Sequence, residues 1–258
     1  FPLSRHNLAA LLVGRVDADD EQNAVNKAID SLLDASDIPL EEVDRRLRFL
    51  SDKVADLQRK WKSFDPTSHE RRQVLTDVIT DEVLPARPKA TIYQHKQVSA
   101  GRSLTFLDYT SGIDQSPDGI TADLRIVPTS DYQAVRKAVL NESTTPSHDR
   151  LIVALASEPD GLRDDLRDAY ASAKMIREMR AMTRDGDEEQ FYRSMTDRER
   201  NAKARIADAL KMAFEDGTVI YGGQDLPVKT TAKSTRIALE NATAAVGNEV
   251  YDKYQHAA

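Results

Sequence analysis

The stretch closest to a known chemical motif runs from Tyr221 to Thr230, in the order Tyr-Gly-Gly-Gln-Asp-Leu-Pro-Val-Lys-Thr. Its spacing approaches that of a phosphate-binding P-loop, Gly-x4-Gly-Lys-Thr, with Lys229 and Thr230 at the last two positions. Val228, however, stands where the second glycine is needed, and Pro227 removes a backbone N–H where such groups must cradle phosphates. Nucleotide binding by this loop is therefore disfavoured, and a tight loop into the last helix is the preferred interpretation.

Other catalytic chemistries lack residues in the required pattern. The chain has no cysteine, which excludes thiolate ligands and disulfides, and no Gly-x-Ser-x-Gly elbow for a nucleophilic serine. Its histidines are not at metal-binding spacing from one another; they are His6, His69, His95, His148 and His256. Asp164, Asp165 and Asp168 lie near one helix face. They alternate with arginines, so a salt-bridged solvent-facing surface is favoured over paired catalytic acids. We therefore predict no catalytic residue and no metal site.

Basic side chains form three short groups, here called the basic strips, that could contact phosphates. They are Arg45, Arg46 and Arg48; Arg177, Arg180 and Arg184; and Arg198 and Lys203 with Arg200 and Arg205. Nearby acids such as Glu178 dilute the second strip, and charges on a strand edge also discourage aggregation. The net charge of −7 argues against a chain that coats nucleic acid throughout. Binding of double-stranded DNA through the basic strips is kept as an alternative to a solvated charged surface.

Two of the basic strips lie on a unit predicted between Asp149 and Tyr221. This unit consists of a strand, two helices and a second strand. The unbroken apolar run 151–156 predicts a strand covered on both faces. Apolar residues at helical spacing predict a helix that starts after Asp160 and runs through Met179. A second helix is predicted from Thr196, where Glu199 completes a capping-box pattern, and it ends near Gly217. We expect the long helical connection 157–217 to give some parallel strand pairing.

The rest of residues 67–258 predicts further helices and strands around that unit. A helix capped by Thr67 or Ser68 ends before Pro85. Strands 91–98 and 103–109 are predicted to form a hairpin through the turn 99–102. The remaining elements are a polar loop over 111–119, a strand over 121–127, a short helix after Ser130 and a final helix from about Ser234.

Residues 1–66 have the order of a winged-helix-like unit. Helical spacing predicts a first helix over 3–16 and a second over 24–35, followed by a strand over 45–50 and a helix capped by Ser51. The predicted fold class is therefore α/β, with a winged-helix-like unit over 1–66 and a mixed-sheet α/β module with flanking helices over 67–258. The boundary falls within the turn-forming residues Asp65 to Ser68.

Composition limits the function classes further. Of the 258 residues, 40% are hydrophobic and 31% are charged, which allows a real core beneath a highly charged surface. No apolar run approaches the roughly 20 residues of a membrane-spanning helix, so we expect a cytoplasmic protein without membrane contact. The chain begins at Phe1, inside a helical pattern, which favours an excised segment of a longer protein.

Three stretches together resemble the large P-loop ATPase of BREX phage-defence systems, of the BrxC or PglY type. Arg45-Arg-Leu-Arg-Phe-Leu-Ser-Asp52, leading into the Trp61 helix, resembles the segment that follows the ATPase module of that family. Leu151-Ile-Val-Ala-Leu-Ala156 with its following helix resembles the strand-and-helix core. The third stretch resembles the closing section and comprises Thr196 through Phe214, Tyr221 to Pro227, and Lys233–Tyr254.

This resemblance implies a parent protein that couples ATP hydrolysis to defence against phage DNA. The intact P-loop is missing here, so ATP and magnesium are expected only in an ATPase module N-terminal to this segment, and no ATPase residue carries over. We accordingly predict a non-catalytic interaction module that contacts the rest of the parent chain, other defence proteins or double-stranded DNA. The alternative is a nucleic-acid-binding module that acts through the basic strips.

Overall fold

The computed structural model describes residues 4, 5, 7, 19–34, 40–43, 45–49 and 51–252. The chain divides into two compact units: unit 1 takes Phe1–Pro66 and Arg167–Arg200, and unit 2 takes Thr67–Leu166 and Asn201–Ala258. The predicted division into domains 1–66 and 67–258 stays a prediction. The sequence patterns contained no sign that residues 167–200 group with the N-terminal part of the chain.

The described part of the N-terminal segment of unit 1 contains a helix, a short hairpin and a second helix. These are α1 (Asp19–Asp34), β1 (Leu40–Val43), β2 (Arg46–Phe49) and α2 (Asp52–Ser63). The two strands pair in antiparallel fashion around Arg45, whose φ of +62° makes the turn. Ile29, Leu40 and Leu47 form a small buried cluster beneath the hairpin. The second predicted helix, the strand and the Ser51 helix are confirmed, whereas the helix predicted over 3–16 lies largely outside the described residues.

The larger core of unit 1 surrounds Trp61, the one tryptophan of the chain. It is built from α2 together with parts of two long helices, α5 (Leu162–Met179) and α6 (Gly186–Glu215). The helices α3 and α4 lie between α2 and α5 in the chain and belong to unit 2. Met175 and Met195 pack in the same buried cluster as Trp61. The indole N–H donates to Ser172 Oγ at 3.3 Å, so the buried ring keeps its one polar group satisfied.

The start of α6 differs from the prediction. The helix begins at Gly186 and runs for 30 residues, so Thr196 lies in its interior and is not an N-cap. The capping box is formed by Asp185 and Glu188, each of which accepts from the backbone N–H of the other, at 3.0 and 2.9 Å. Two such patterns compete in the sequence, and the earlier one prevails because buried Phe191 extends the apolar stripe upstream.

Unit 2 contains the sheet. Besides the start of α5 and the second half of α6, unit 2 has four helices in its described part: α3 (Ser68–Val78), α4 (Tyr132–Glu142), α7 (Val228–Thr231) and α8 (Thr235–Val250). A π-helical turn (Ile79–Val83) continues α3, and a 3-10 turn spans Pro146–His148. The strands of unit 2 are β3 (Lys89–Ile92), β4 (Lys96–Phe106), β5 (Tyr109–Asp114), β6 (Ile120–Val127), β7 (Leu151–Ser157), β8 (Thr218–Tyr221) and β9 (Gln224–Pro227).

Among the described residues, seven strands form one mixed sheet in the order β3-β4-β6-β7-β8-β9, with β5 paired to β4. The pairs β4–β6 and β6–β7 are parallel, and the other strand pairs of this sheet are antiparallel. β7 is buried along nearly its whole length, as the apolar run predicted. The α/β class with a mixed sheet and flanking helices is therefore confirmed. The winged-helix-like arrangement of residues 1–66 stays a prediction.

The expected parallel pairing across residues 157–217 is wrong, because β7 and β8 are antiparallel. The connection contains two helices, as predicted. The chain leaves β7 through α5 and returns through α6, with Arg205 donating to Asp165 at 2.8 Å. A pair of helices that runs out and back returns the chain to the strand end it left, so the next strand runs the opposite way. A single crossover helix would have given a parallel neighbour.

The hairpin predicted from strands 91–98 and 103–109 is wrong, because these residues belong to β3, β4 and the start of β5, which form two successive hairpins. Residues 99–102, predicted to be the turn, lie inside the 11-residue strand β4, and part of the predicted polar loop is β5. The turns are Tyr93–Gln94 and Leu107–Asp108, four non-glycine residues with φ between +49° and +68°. Gly101 lies within the strand, and glycine is needed there because a Cβ would lie 2.7 Å from the backbone oxygen of Asp114.

The cap of α3 provides a test of local stability. Thr67 Oγ1 accepts from the Glu70 N–H at 3.3 Å, and the Glu70 carboxylate accepts from the Thr67 N–H at 2.8 Å. We expect Thr67→Ala to lower the free energy of unfolding by about 1 kcal/mol, since the helix start loses its acceptor. Urea denaturation measures this change. Thr67→Ser keeps the hydroxyl and should lose much less, and equal losses for both variants would contradict the cap.

Candidate functional site

The loop that approaches a P-loop is a hairpin turn. Tyr221 pairs with Gln224 across β8 and β9, and Gly222 and Gly223 make the turn with φ of +52° and +74°. The Gly223 N–H donates to Ser143 Oγ at 3.0 Å, so this amide is already engaged. Lys229 Nζ lies 2.7 Å from Asp216 Oδ1. The predicted tight loop is present as a hairpin turn, and glycines with positive φ explain the Gly-Gly pair. It does not lead directly into the last helix, because β9 and α7 lie between them.

The basic strips hold side chains in different environments. Arg45, Arg46, Arg177 and Arg180 are exposed, and the side chain of Arg48 lies outside the described part. Arg184 is engaged within unit 1. It donates to Glu189 at 2.8 Å and to the Met179 carbonyl oxygen at 2.7 Å, and its guanidinium lies 4.2 Å from the Tyr192 ring centre. Arg184 thus connects the end of α5 to the start of α6.

The last basic strip is also divided. The Arg198 guanidinium lies 4.5 Å from the centre of the Trp61 ring and supports the core of unit 1 while remaining exposed. Lys203 is half-buried and belongs to unit 2. Arg200 forms an ion pair with Asp197, and Arg205 forms one with Asp165. The role of the basic strips in binding stays a prediction.

A polar cavity in unit 2 gathers more charged groups than any of the basic strips. Its volume is about 770 Å³, and it lies beside the beginnings of β3 and β4, the end of β5 and the residue that follows α8. Its charged lining residues are Arg87, Lys89, Lys96, Arg102, Asp114 and Asp118. Their geometry makes this cavity the candidate functional site.

One side of the cavity is organised by the pair formed by Arg102 and Asp114. The Arg102 backbone N–H donates to Asp114 Oδ1 at 2.9 Å, and its guanidinium donates to Oδ2 from Nε at 2.9 Å and from Nη2 at 2.7 Å. The third guanidinium nitrogen, Nη1, donates to the Leu84 carbonyl oxygen. Arg102 is only 8% exposed, so its charge needs these partners. Arg87 Nε approaches the same carboxylate at 3.2 Å.

The other side is organised by buried Asp118. Its Oδ2 accepts from the Ser99 N–H at 2.8 Å, and its Oδ1 accepts from the Tyr251 hydroxyl at 2.9 Å. Lys96 Nζ lies 3.9 Å from Oδ1 and 4.8 Å from the centre of the Tyr251 ring. Residues from β4, the loop before β6 and the end of α8 therefore meet at one carboxylate.

Both carboxylates are held in the ionised form. Burial alone would raise the pKa of Asp114, but hydrogen bonds from Arg102 and the charges of Arg102 and Arg87 lower it below its ordinary value. Burial acts in the same way on Asp118, and the hydrogen bonds from Ser99 and Tyr251, together with the Lys96 charge, again lower the pKa. The cavity therefore keeps a fixed pattern of charges at neutral pH.

This pattern predicts a specific loss of stability in acid. A carboxylate whose folded pKa lies below its unfolded pKa of about 4 stabilises the fold above that value, and the effect is lost as the pH falls through the folded pKa. We expect wild type to be more stable than Asp118→Asn at neutral pH, with the difference narrowing as the pH drops below about 4. Denaturant unfolding at a series of pH values measures it. A constant difference would contradict the assignment.

A second buried carboxylate lies in the sheet, apart from the residues that line the cavity. Asp123 is 2% exposed and accepts from Ser103 Oγ and Thr105 Oγ1 of β4, each at 2.9 Å. Arg125 donates to it from Nε at 3.1 Å and from Nη2 at 3.0 Å. Ser103 and Asp123 are register partners on parallel strands, so this network joins β4 to β6. The side chains of Ser103, Thr105 and Arg125 all donate to Asp123 within the sheet, which indicates a structural role.

Sequence reasoning missed the cavity. The turn around Ser116-Pro117-Asp118-Gly119 has the composition of a tight turn, and this signal could have singled out Asp118. Its partners were not visible, because Tyr251 lies 133 positions away along the chain. In the part of the chain that the structure describes, no group of three or more histidine or acidic residues could hold a metal ion. The lining supplies ion pairs and hydrogen-bond donors, which suit ligand binding.

Comparison with known families gives one match. Residues 65–243 match the family model described as the BREX ATP-binding protein BrxC 4th domain with six-stranded beta sheet. That range covers most of the chain and includes all strands of the sheet, from Lys89 to Pro227. No curated protein and no solved structure matches the chain significantly. Within the described residues, no helix is both long and apolar enough to cross a membrane.

Proposed function

The chain belongs to the BrxC family of BREX ATP-binding proteins, and on that premise we propose that it is a non-catalytic interaction module of the defence ATPase. The observation that carries the proposal is the match to the fourth domain of BrxC. The hairpin geometry of the Gly222–Gly223 turn agrees with it, since the stretch nearest to a P-loop lacks a phosphate cradle. In this proposal ATP and magnesium bind in another module of the parent protein.

The proposed partners are the rest of the parent chain and other proteins of the defence system. Unit 2 offers a rigid platform for such contacts, because its sheet is buried at the centre and its polar cavity is held by ionised carboxylates. Preorganised surfaces lose little conformational entropy on binding, which favours recognition of a partner.

The proposal is tested in the parent protein by separating its two activities. We expect a parent that lacks residues 65–243 to keep its ATP hydrolysis while cells that carry it lose protection against phage. Purified ATPase rates and phage plating efficiencies measure the two activities, and circular dichroism checks that the shortened parent is folded. A folded variant that loses ATP hydrolysis would overturn the non-catalytic assignment, and unchanged protection would overturn the interaction role.

The second candidate function is nucleic-acid binding. It is favoured by the exposure of Arg45 and Arg46 on the unit 1 hairpin and of Arg177 and Arg180 near the end of α5. A winged-helix-like form of residues 1–66 would suit this function or protein docking. Fluorescence anisotropy with short duplex DNA at low and moderate salt tests it, because phosphate contacts weaken steeply with salt. Charge reversal of each arginine pair should reduce the affinity if the candidate is right, and unchanged affinity would remove that surface.

A further inference from the structure

Two cations at the cavity lie near carboxylates that do not use all of their N–H donors. Lys96 Nζ is 3.9 Å from Asp118, which is beyond hydrogen-bond distance, and its side chain is 30% exposed. Arg87 forms an ion pair with Asp114 at 3.2 Å and is 39% exposed. Neither side chain donates a hydrogen bond to any residue in the described ranges. Both therefore keep N–H groups for a ligand.

The carboxylates that hold these cations have little remaining capacity. Asp114 accepts three hydrogen bonds from buried Arg102, and Asp118 accepts from the Ser99 N–H and the Tyr251 hydroxyl. They attract Arg87 and Lys96 to the cavity while their own oxygens stay largely occupied. An incoming anion therefore meets cations that are already in place, which reduces the entropy lost on binding.

The charge of the lining selects the ligand. Four cations face the cavity against two carboxylates, which leaves an excess of two positive charges. A phosphate monoester carries about −1.5 to −2 at neutral pH, whereas a phosphodiester carries a single negative charge. The three terminal oxygens of the monoester can also accept hydrogen bonds from more than one cation at once. The volume of about 770 Å³ falls within the range of small-molecule sites.

We propose that this cavity is a binding site for a phosphate monoester group, held by Arg87 and Lys96. The group could come from a free small molecule, such as a nucleotide or sugar phosphate, or from the 5′-phosphate of a nucleic acid end. The backbone of duplex DNA consists of diesters and is the disfavoured ligand. This site goes beyond the interaction role proposed above, because it adds a phosphate ligand to the same unit.

The test uses the 258-residue chain and isothermal titration at constant ionic strength, with inorganic phosphate as the probe and dimethyl phosphate as the monoanionic control. We expect phosphate to bind and dimethyl phosphate to bind much more weakly. Arg87→Gln and Lys96→Gln should each weaken phosphate binding about tenfold or more, the order expected for one lost charge-assisted hydrogen bond. Both side chains are partly exposed, and thermal unfolding without ligand checks that the variants fold.

The matched control is Lys229→Gln, which removes an exposed, ion-paired cation elsewhere in unit 2. It should leave phosphate binding unchanged. Equal affinities for wild type and both cavity variants, equal affinities for phosphate and dimethyl phosphate, or loss of binding in Lys229→Gln would each overturn the proposal. The non-catalytic proposal would survive these failures, because it is judged by ATP hydrolysis and phage protection.

Oligonucleotides distinguish the two sources of the phosphate. Single strands of one sequence, with and without a 5′-phosphate, are compared by anisotropy against wild type and Lys96→Gln. Tighter binding of the phosphorylated strand that disappears in Lys96→Gln supports the site and assigns it to nucleic acid ends. Phosphate binding that depends on Lys96, with no preference between the strands, supports the site and assigns it to small molecules.

Discussion

Gly217→Ala is expected to lower the free energy of unfolding by about 3 kcal/mol, at the upper end of the cost of overpacking a core. A Cβ at this position would lie 2.2 Å from the Leu155 carbonyl oxygen and 3.2 Å from that of Ala213. Leu155 is fully buried in the middle of β7, so its backbone cannot withdraw without disturbing strand pairing. Urea unfolding followed by circular dichroism measures the loss.

Gly186→Ala is the matched control for that substitution. Gly186 stands at the start of α6, and a Cβ there would meet no atom within 4 Å. Alanine also restricts the unfolded chain and favours helix, so this variant should be unchanged or more stable by up to about 1 kcal/mol. A similar loss in both variants would show that the close approach of Gly217 to β7 does not set the stability.

Asp123→Ala is expected to cost about 3 kcal/mol, the lower end of the range for breaking a buried ion pair by removing one partner. The substitution removes the acceptor for Ser103, Thr105 and Arg125 at once. The two hydroxyls and the guanidinium then stay partly buried without their carboxylate, and the lost hydrogen bonds are expensive to leave unmade. Equilibrium unfolding in urea measures the change.

Asp208→Ala controls for the loss of an acidic residue. Asp208 is exposed on α6, so its removal should change stability little. Asp123→Asn is informative as a second variant, because it keeps an acceptor oxygen and should recover part of the stability lost with alanine. If Asp123→Ala were as mild as Asp208→Ala, the buried network would not be the link between β4 and β6 that the structure indicates.

The parts of the fold that the sequence predicted are those whose signals are local. The strands β6 and β7 are confirmed, β7 from its apolar run, and the helices α4 and α8 are confirmed from their helical spacing. The resemblance to the BREX ATPase family is confirmed by the match over residues 65–243. That resemblance depended on the order of elements, which survived errors at individual boundaries.

The errors arose where several signals competed or where tertiary packing decided. Gly101 signals a turn in isolation, but the close approach of β5 requires glycine within a strand. The turn at Leu107–Asp108 carries no glycine and was invisible for that reason. The cavity could not be predicted, because Asp118 meets Tyr251 only after the sheet and α8 have packed together.

ATP turnover by the 258-residue chain tests the central claim most directly, with wild type and Lys229→Ala measured side by side in the presence of magnesium. We expect both proteins to release phosphate no faster than a blank without protein, because the Gly222–Gly223 turn is a hairpin and Lys229 is paired with Asp216. Turnover by wild type that disappears in Lys229→Ala would show that residues 222–230 do cradle a nucleotide. The segment would then be an enzyme and not a contact module.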